Sequence, residues 1–347
     1  MTIYFKKPGQ SSGDLGTFRN GGVFSGDMVL EQKRLDASGL FWTPAMEMGN
    51  AMEAKLQDMA TGSHLFDASF FVSEVDKISF SETDGKRSHA SDILWTAKHW
   101  KGNAEERLLE LIGGRTKTDK NGKKSDYSNS VNPNTLAREC IANPGMLPIT
   151  QKDFRTIKTL ANKIMEMPLP EWWWGMVGWT VGDFLCHEKA SWQEEIYWTA
   201  NMPEYVDGEL VTVNIPKKAK TDVLLVHGGT GGIIDLKWTG SLPNFKKRLR
   251  GDKWIQAAHY EESVRGKYGV NALPMLYVVG IAESKGVPPL VTALAMEDGK
   301  CTGHNRCFCG QCRRAEYERV SMAYHQWEIG GREPSRFLEA GEVKVWV

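Results

Sequence analysis

The segment DVLLVHGGTGGIIDLKW, from Asp222 to Trp238, decides the fold. Its two halves, DVLLVH (Asp222 to His227) and GIIDLKW (Gly232 to Trp238), are rich in the β-branched residues that are typical of strands. The glycines of HGGTGG between them favour a tight hairpin turn. A phosphate-binding loop is the weaker interpretation, because HGGTGG lacks the Gly-Lys-Ser/Thr ending and opens no helix. The pattern therefore predicts two adjacent antiparallel strands.

This predicted hairpin carries two carboxylates and a lysine. Asp235 and Lys237 lie two positions apart on one strand, so their side chains leave the same face. The turn brings Asp222 close to them on the neighbouring strand. Two such carboxylates can bind a hard divalent cation, Mg²⁺ or Mn²⁺, which stabilises in-line displacement at phosphorus. By itself the Asp-x-Lys motif is weak, because an ion pair on a solvated strand face gives the same pattern.

The flanking segments predict an α/β or α+β domain with a central mixed sheet and flanking helices. Further strands are predicted from β-branched and aromatic residues at EEIYWTA (Glu194 to Ala200), LVTVNI (Leu210 to Ile215) and PMLYVVGIA (Pro274 to Ala282). A helix is predicted from Pro44 to Met59, where apolar residues recur at helical spacing, and further helices are predicted from Lys152 to Met167 and from Trp254 to Tyr268. Thr150 is the expected N-cap of the second helix, and Pro168 follows its end.

Two more polar patterns lie in the predicted helices. In QAAHY, Gln256 and Tyr260 are four residues apart and share one helix face, where an amide and a phenol can reach DNA phosphates. In the first helix, Gly49 and Glu53 form a Gly-x-x-x-Glu pattern, and Glu53 is a candidate third ligand for a hard cation. Glu47 competes with Glu53 for this role. Ordinary polar residues on amphipathic helices are the alternative in both places.

The order and spacing of these motifs resemble the RecB-like PD-(D/E)XK nucleases, and within them the RecE-type, lambda-exonuclease-like phage recombination exonucleases. Asp222 and Asp235-Leu-Lys237 match the D-x(n)-(D/E)-x-K motif, with Thr221 in place of its proline. Gln256 to Tyr260 matches the Q-x-x-x-Y motif. The resemblance extends over about Pro44 to Ser284, including the segments Ile149 to Trp173 and Lys267 to Ser284, and it is loose before Ile149. The family often carries an acidic residue on the strand matched by EIYWT, where Glu194 or Glu195 is the candidate.

The resemblance implies a PD-(D/E)XK (restriction-endonuclease-like) core and a metal-dependent deoxyribonuclease. Glu53, Asp222 and Asp235 would coordinate Mg²⁺ or Mn²⁺, Lys237 would be the catalytic lysine, and Gln256 and Tyr260 would position DNA. It further implies degradation of linear double-stranded DNA, 5′ to 3′, to 3′ single-stranded tails for phage-type homologous recombination. The implied partners are DNA ends, a single-strand annealing recombinase and further copies of the chain in a homo-oligomeric ring. A structure-specific or single-strand endonuclease of a repair or defence system, and a non-catalytic DNA-binding scaffold, are the alternatives.

The net charge is zero, with 43 Lys and Arg against 43 Asp and Glu. A DNA-binding surface therefore has to come from a local cluster of basic residues. The best candidate is LPNFKKRLRGDKW (Leu242 to Trp254), with the basic residues Lys246, Lys247, Arg248 and Arg250. A solvated helix face is the alternative. The segment from Gly113 to Asn134 has almost no apolar residues and is predicted to be a long, mobile, basic loop.

Four of the six cysteines crowd into CTGHNRCFCGQC together with His304. They are Cys301, Cys307, Cys309 and Cys312. Such clustering favours a Zn²⁺ site or reduced thiols over a disulfide framework. An iron–sulfur cluster with Cys140 or Cys186 as an early ligand is the weaker alternative, and a cluster without metal also stays open.

The predicted organisation is an N-terminal lead-in (1–43), a nuclease domain (44–297) and a Cys-rich C-terminal tail (298–347). No stretch approaches the roughly 20 apolar residues that a membrane span needs, and the N-terminus has no secretory signal pattern. We therefore expect a cytoplasmic protein, in a bacterium or a phage-infected cell, with no membrane partner.

Overall fold

The computed structural model describes most of the region that carries the motifs. The described residues are 9–11, 15, 44–75, 82–83, 86–87, 102–104, 108, 115–118, 124–127, 133–175, 177–206, 208–248, 253–281, 290–295 and 310–329. Its helices are α1 (Pro44–Thr61), α2 (Leu65–Ser69), α3 (Pro133–Ala142), α4 (Gln151–Met165), α5 (Glu171–Trp174), α6 (Val181–Leu185), α7 (Leu242–Arg248), α8 (Trp254–Tyr268) and α9 (Gly310–Ile329). Its strands that begin before residue 200 are β1 (Phe70–Ser73), β2 (Glu82–Thr83), β3 (Lys86–Arg87), β4 (Arg115–Thr118), β5 (Lys124–Tyr127), β6 (Leu147–Thr150), β7 (Ala190–Trp192) and β8 (Glu195–Val206). The later strands are β9 (Glu209–Lys220), β10 (Val223–His227), β11 (Thr230–Thr239), β12 (Asn271–Ala272), β13 (Leu276–Ile281) and β14 (Leu290–Ala295).

A mixed sheet forms the centre of the molecule, with strand order β14-β13-β11-β10-β7 and β12 paired to β11. Strand β11 runs parallel to β13 and antiparallel to β10, so the predicted mixed α/β organisation is confirmed. The β10–β11 hairpin pairs Val223 with Ile234 and His227 with Thr230. Gly228 and Gly229 form its turn, both at positive φ, which glycine adopts without steric cost. The predicted tight turn is therefore confirmed.

Helices cover both faces of this sheet. On one face, Met52 of α1 and Leu160 of α4 pack with Ile234 and Leu236 of β11 in one buried cluster. On the other face, Ile233 belongs to a second cluster with side chains of α8 and α9. Strand β11 is therefore buried on both faces, which explains its continuous apolar run.

Helices α4 and α8 follow the helix-end signals in their sequences. The Thr150 hydroxyl accepts a hydrogen bond from the backbone N–H of Asp153 at 3.0 Å, so Thr150 is the N-cap of α4 as predicted. Helix α8 spans the predicted residues, and Gly269 caps its C-terminal end with a left-handed backbone at φ of 66°.

Two predictions differ from the structure. Within the predicted loop from 113 to 134, β4 and β5 pair in an antiparallel ladder, because polar side chains do not prevent strands from pairing through their backbones, and α3 begins at Pro133. Strands β8 and β9 are longer than predicted, with twelve residues each, and pair with each other in a ribbon that is separate from the central sheet. The base of the ribbon packs on α8 through Ile196 and Trp198, whereas Leu210 near its tip is 61% exposed.

Helix α9 is the part of the predicted C-terminal tail that the structure describes. Its Tyr317, Val320 and Tyr324 are buried in the same core cluster as α8. Its Ser321 also hydrogen bonds to Gln10, one of the few described residues of the predicted lead-in. In the described part of the chain, no helix is both long and apolar enough to cross a membrane.

The contact between α8 and β8 leads to a first prediction. A Cβ atom on Gly266 would lie 2.5 Å from Cδ1 of the buried Trp198 ring. We expect Gly266→Ala to lower the free energy of unfolding by about 1–3 kcal/mol through overpacking. In a helix without such crowding, alanine would instead be more stable than glycine by roughly 1 kcal/mol. Urea denaturation measures this change.

Gly49→Ala is the matched control, because Gly49 is also helical and its Cβ would meet only Trp238 Cβ at 3.7 Å. We expect this control to be neutral or slightly stabilising. Equal stability of the two variants would contradict the close packing of α8 on β8.

Candidate functional site

The candidate site lies where the β10–β11 hairpin meets α1 and α8. Continuing the hairpin register by one residue from Val223 and Ile234 places Asp222 opposite Asp235. The Asp222 carboxylate accepts a hydrogen bond from the backbone N–H of Leu236 at 2.8 Å. This bond fixes the Asp222 side chain against β11, so the hairpin brings the two predicted aspartates together.

Lys237 lies between these two aspartates. Its Nζ is 2.5 Å from Asp235 Oδ2 and 3.6 Å from Asp222 Oδ2, and it donates a hydrogen bond to the Leu236 carbonyl at 3.1 Å. The Asp235 side chain is fully buried, whereas the side chains of Asp222 and Lys237 are 18% and 25% exposed. Because a buried carboxylate needs a compensating charge, the ammonium stabilises the ionised form of Asp235.

Helix α1 supplies the third carboxylate. Glu53 is partly buried and accepts a hydrogen bond from the side-chain amide of Gln193. Burial, together with the negative charge of Asp222, raises the pKa of Glu53 to about 8. We call Glu53, Asp222 and Asp235 the carboxylate cluster.

The electrostatics of this cluster favour an additional cation. Burial raises the pKa of Asp235 to about 6, with Lys237 opposing the rise and Asp222 adding to it. Burial alone would lower the pKa of Lys237, but Asp222 and Asp235 hold it above its ordinary value, so this lysine is charged. Crowded negative charge and burial therefore raise the pKa of two of the three carboxylates, and a divalent cation bound there would favour their ionised forms.

The residues present fit such a cation. Carboxylate oxygens are the ligands that hard cations prefer. Asp235 Oδ2 is buried and contacts the Lys237 ammonium at 2.5 Å, so a metal ion would have to share this oxygen with the lysine or displace it. Among the described residues, no group of three or more His, Cys, Asp or Glu side chains is arranged so that it could hold a metal ion as it stands. Lys237 instead contacts both aspartates.

Gln256 and Tyr260 make hydrogen bonds within the protein, and their role in positioning DNA stays a prediction. Gln256 Nε2 donates hydrogen bonds to Asp235 Oδ1 at 3.0 Å and to the Tyr260 hydroxyl at 3.3 Å. The buried Tyr260 hydroxyl in turn donates to the backbone carbonyl of Lys220 at 2.7 Å. The two side chains therefore hold Asp235 and attach α8 to the end of β9.

The basic segment is described in part. Lys246 is exposed on α7, whereas the side chains of Lys247 and Arg248 and the whole of Arg250 lie outside the described residues. Lys253 comes closer to the cluster than the sequence indicated. Its Nζ donates to Gln256 Oε1 at 3.3 Å, and its charge lowers the pKa of Asp235.

Between β7 and β8, the residue that contacts the carboxylate cluster is Gln193, and not Glu194 or Glu195. Glu194 accepts a hydrogen bond from the Tyr268 hydroxyl at 3.3 Å, and Glu195 accepts one from the Tyr197 hydroxyl at 2.9 Å. The physical reason is a backbone kink, because Gln193 has a positive φ of 53° that separates β7 from β8. No sequence signal marks this kink, since the residue is not a glycine.

His259, which lies between Gln256 and Tyr260 in the chain, is fully buried. Its two ring nitrogens contact the Tyr317 hydroxyl at 2.8 Å and the Lys218 carbonyl at 2.9 Å. Burial, with the nearby charge of Lys217, lowers the pKa of His259 to about 4, so the imidazole is neutral. Its role is to attach α9 to the core.

The cysteine cluster stays a prediction. Cys301, His304, Cys307 and Cys309 lie outside the described residues, and Cys312 is partly buried in α9. Cys140 is buried in α3, where burial raises the pKa of its thiol to about 12, whereas Cys186 is exposed. A buried thiol of high pKa is a poor thiolate ligand.

No protein-family model matches the chain, and no curated protein is significantly similar to it.

Proposed function

We propose that this chain is a divalent-metal-dependent deoxyribonuclease with a PD-(D/E)XK core. The observation that carries the proposal is the contact of Lys237 with both Asp222 and Asp235 on one hairpin, beside Glu53 from α1. The central mixed sheet flanked by helices agrees with this core. The same Asp, Asp and Lys arrangement, followed by Gln256 and Tyr260 on α8, underlies the resemblance to the RecB-like nucleases.

Each side chain has a definite task in this proposal. Glu53, Asp222 and Asp235 would hold Mg²⁺ or Mn²⁺. The cation would supply positive charge at the scissile phosphate and lower the pKa of water. Lys237 orients the attacking water and balances the charge that develops on the phosphate.

The residues of α8 complete the site. Gln256 fixes the Asp235 carboxylate in one orientation, because its amide donates to Oδ1. Lys253, hydrogen bonded to Gln256, adds positive charge on the same side, where a DNA phosphate can approach. Lys246, which is exposed on α7, is a further candidate for contact with DNA phosphates.

The proposed substrate is the end of linear double-stranded DNA. The motif order shared with RecE-type exonucleases supports digestion from 5′ to 3′ that leaves a 3′ single-stranded tail. On the same ground we propose a single-strand annealing recombinase as the partner and a homo-oligomeric ring as the assembly. These assignments depend on the resemblance and not on the contacts of the site.

Digestion of end-labelled DNA tests this substrate assignment. Linear duplex labelled at the 5′ or the 3′ end, closed circular duplex and single-stranded DNA are each incubated with the protein and Mg²⁺. We expect early loss of the 5′ label and intact circles. Cleavage of the circles would show an endonuclease, and binding without any cleavage would show a scaffold.

A further inference from the structure

Gln193 connects two members of the carboxylate cluster that come from distant parts of the chain. Its backbone N–H donates to the backbone carbonyl of Asp222 at 2.8 Å. Its side-chain amide donates to the Glu53 carboxylate. A single residue between β7 and β8 therefore joins helix α1 to the start of β10.

This residue keeps an unfavourable backbone conformation. Gln193 and His64 are the two non-glycine residues with positive φ in the described part of the chain, at 53° and 54°. Such a conformation is unfavourable for a residue with a Cβ atom and persists where the surroundings enforce it, often at functional sites. At Gln193 the kink coincides with the hydrogen bond to Glu53, whereas His64 lies in the turn between α1 and α2.

We propose that Gln193 is a positioning residue that holds Glu53 as a ligand for the divalent cation. This inference rests on the proposed function. The amide donates a hydrogen bond without adding charge, so it orients the carboxylate and leaves the cluster's negative charge for the cation. Outer groups that orient metal ligands in this way typically contribute 10- to 100-fold to metal affinity.

Binding of Mn²⁺ to the purified full-length protein tests the proposal, with free Mn²⁺ measured by its electron paramagnetic resonance signal. The variants are Gln193→Ala, which removes the amide, and Gln193→Asn, which tolerates a positive φ but is one methylene shorter. We expect both to bind Mn²⁺ about 10- to 100-fold more weakly than the wild type. In cleavage assays, high Mn²⁺ should restore their kcat while the KM for DNA stays unchanged.

Two controls separate this role from a structural one and from the proposed function. His64→Ala changes the other strained position, and we expect it to bind Mn²⁺ as the wild type does. Asp235→Asn should lose binding. If both Gln193 variants bind Mn²⁺ as tightly as the wild type while Asp235→Asn does not, Gln193 is not a positioning residue and the nuclease proposal stands. If the wild type itself binds no Mn²⁺, both proposals are wrong.

Discussion

Replacement of Lys237 by methionine is expected to stop DNA cleavage and to destabilise the metal-free protein strongly. Asp235 is fully buried with Lys237 Nζ at 2.5 Å, so the substitution leaves a buried carboxylate without its counter-charge. Breaking a buried pair from one side costs roughly 3–5 kcal/mol. Loss of the group that orients water should lower the cleavage rate by about 10²- to 10⁴-fold. Urea denaturation in EDTA and cleavage of linear duplex with Mg²⁺ measure the two effects.

A double substitution separates stability from catalysis. Asp235→Asn together with Lys237→Met removes both charges, and we expect it to recover most of the lost stability and none of the activity. Lys217→Met is a matched control, because Lys217 is a buried lysine paired with Glu262 at 2.7 Å outside the site. It should destabilise the protein while the cleavage rate per folded molecule is unchanged. Full activity of folded Lys237→Met would contradict the role given to this lysine.

Replacement of Glu53 by glutamine is expected to stabilise the metal-free protein at pH 8 and to remove the stabilisation by Mg²⁺. Burial and Asp222 raise the pKa of Glu53 to about 8, well above its ordinary 4.5. Because the folded protein binds the Glu53 proton more tightly than the unfolded chain does, this proton stabilises the folded state. The stabilisation is complete below pH 4.5 and is lost as the pH rises through 8. Glutamine does not ionise, so Glu53→Gln does not lose this stability at high pH. We expect its free energy of unfolding to exceed that of the wild type by at least about 1 kcal/mol at pH 8 and to change little at pH 5.

Thermal denaturation at both pH values, in EDTA and in Mg²⁺, measures this prediction. Mg²⁺ should raise the Tm of the wild type, because it binds the folded state, and should leave Glu53→Gln unchanged. Glu188→Gln, at an exposed glutamate, is the control and should follow the wild type throughout. A Glu53→Gln protein that is less stable than the wild type at pH 8 in EDTA would contradict the electrostatic description of the cluster.

Local signals predicted the parts of the fold that local physics determines. The hairpin around Gly228 and Gly229 follows from turn chemistry, and α4 follows from the Thr150 cap and from Pro168 just after its end. These signals lie within a few residues of the structure that they specify. The bounds of α8 were predictable for the same reason.

Tertiary contacts determined what the sequence did not reveal. Gln193 hydrogen bonds to Glu53 and Asp222, which are distant in sequence, so the sequence pattern indicates Glu194 and Glu195 at this place and not Gln193. The spacing of Gln256 and Tyr260 placed them on one helix face, but only the packing of α8 turned that face toward Asp235. Side-chain spacing identifies a face of a helix and does not give the direction in which it points.

Cleavage of linear duplex DNA by the wild type and by Asp235→Asn, in Mg²⁺ and in EDTA, tests the central claim most directly. Asparagine is nearly isosteric and removes only the buried charge, so folding of the variant is verified by its urea denaturation curve. We predict cleavage by the wild type in Mg²⁺ alone and none by the folded variant. Cleavage by Asp235→Asn at the wild-type rate, or by the wild type in EDTA, would contradict a metal-dependent site at this carboxylate cluster.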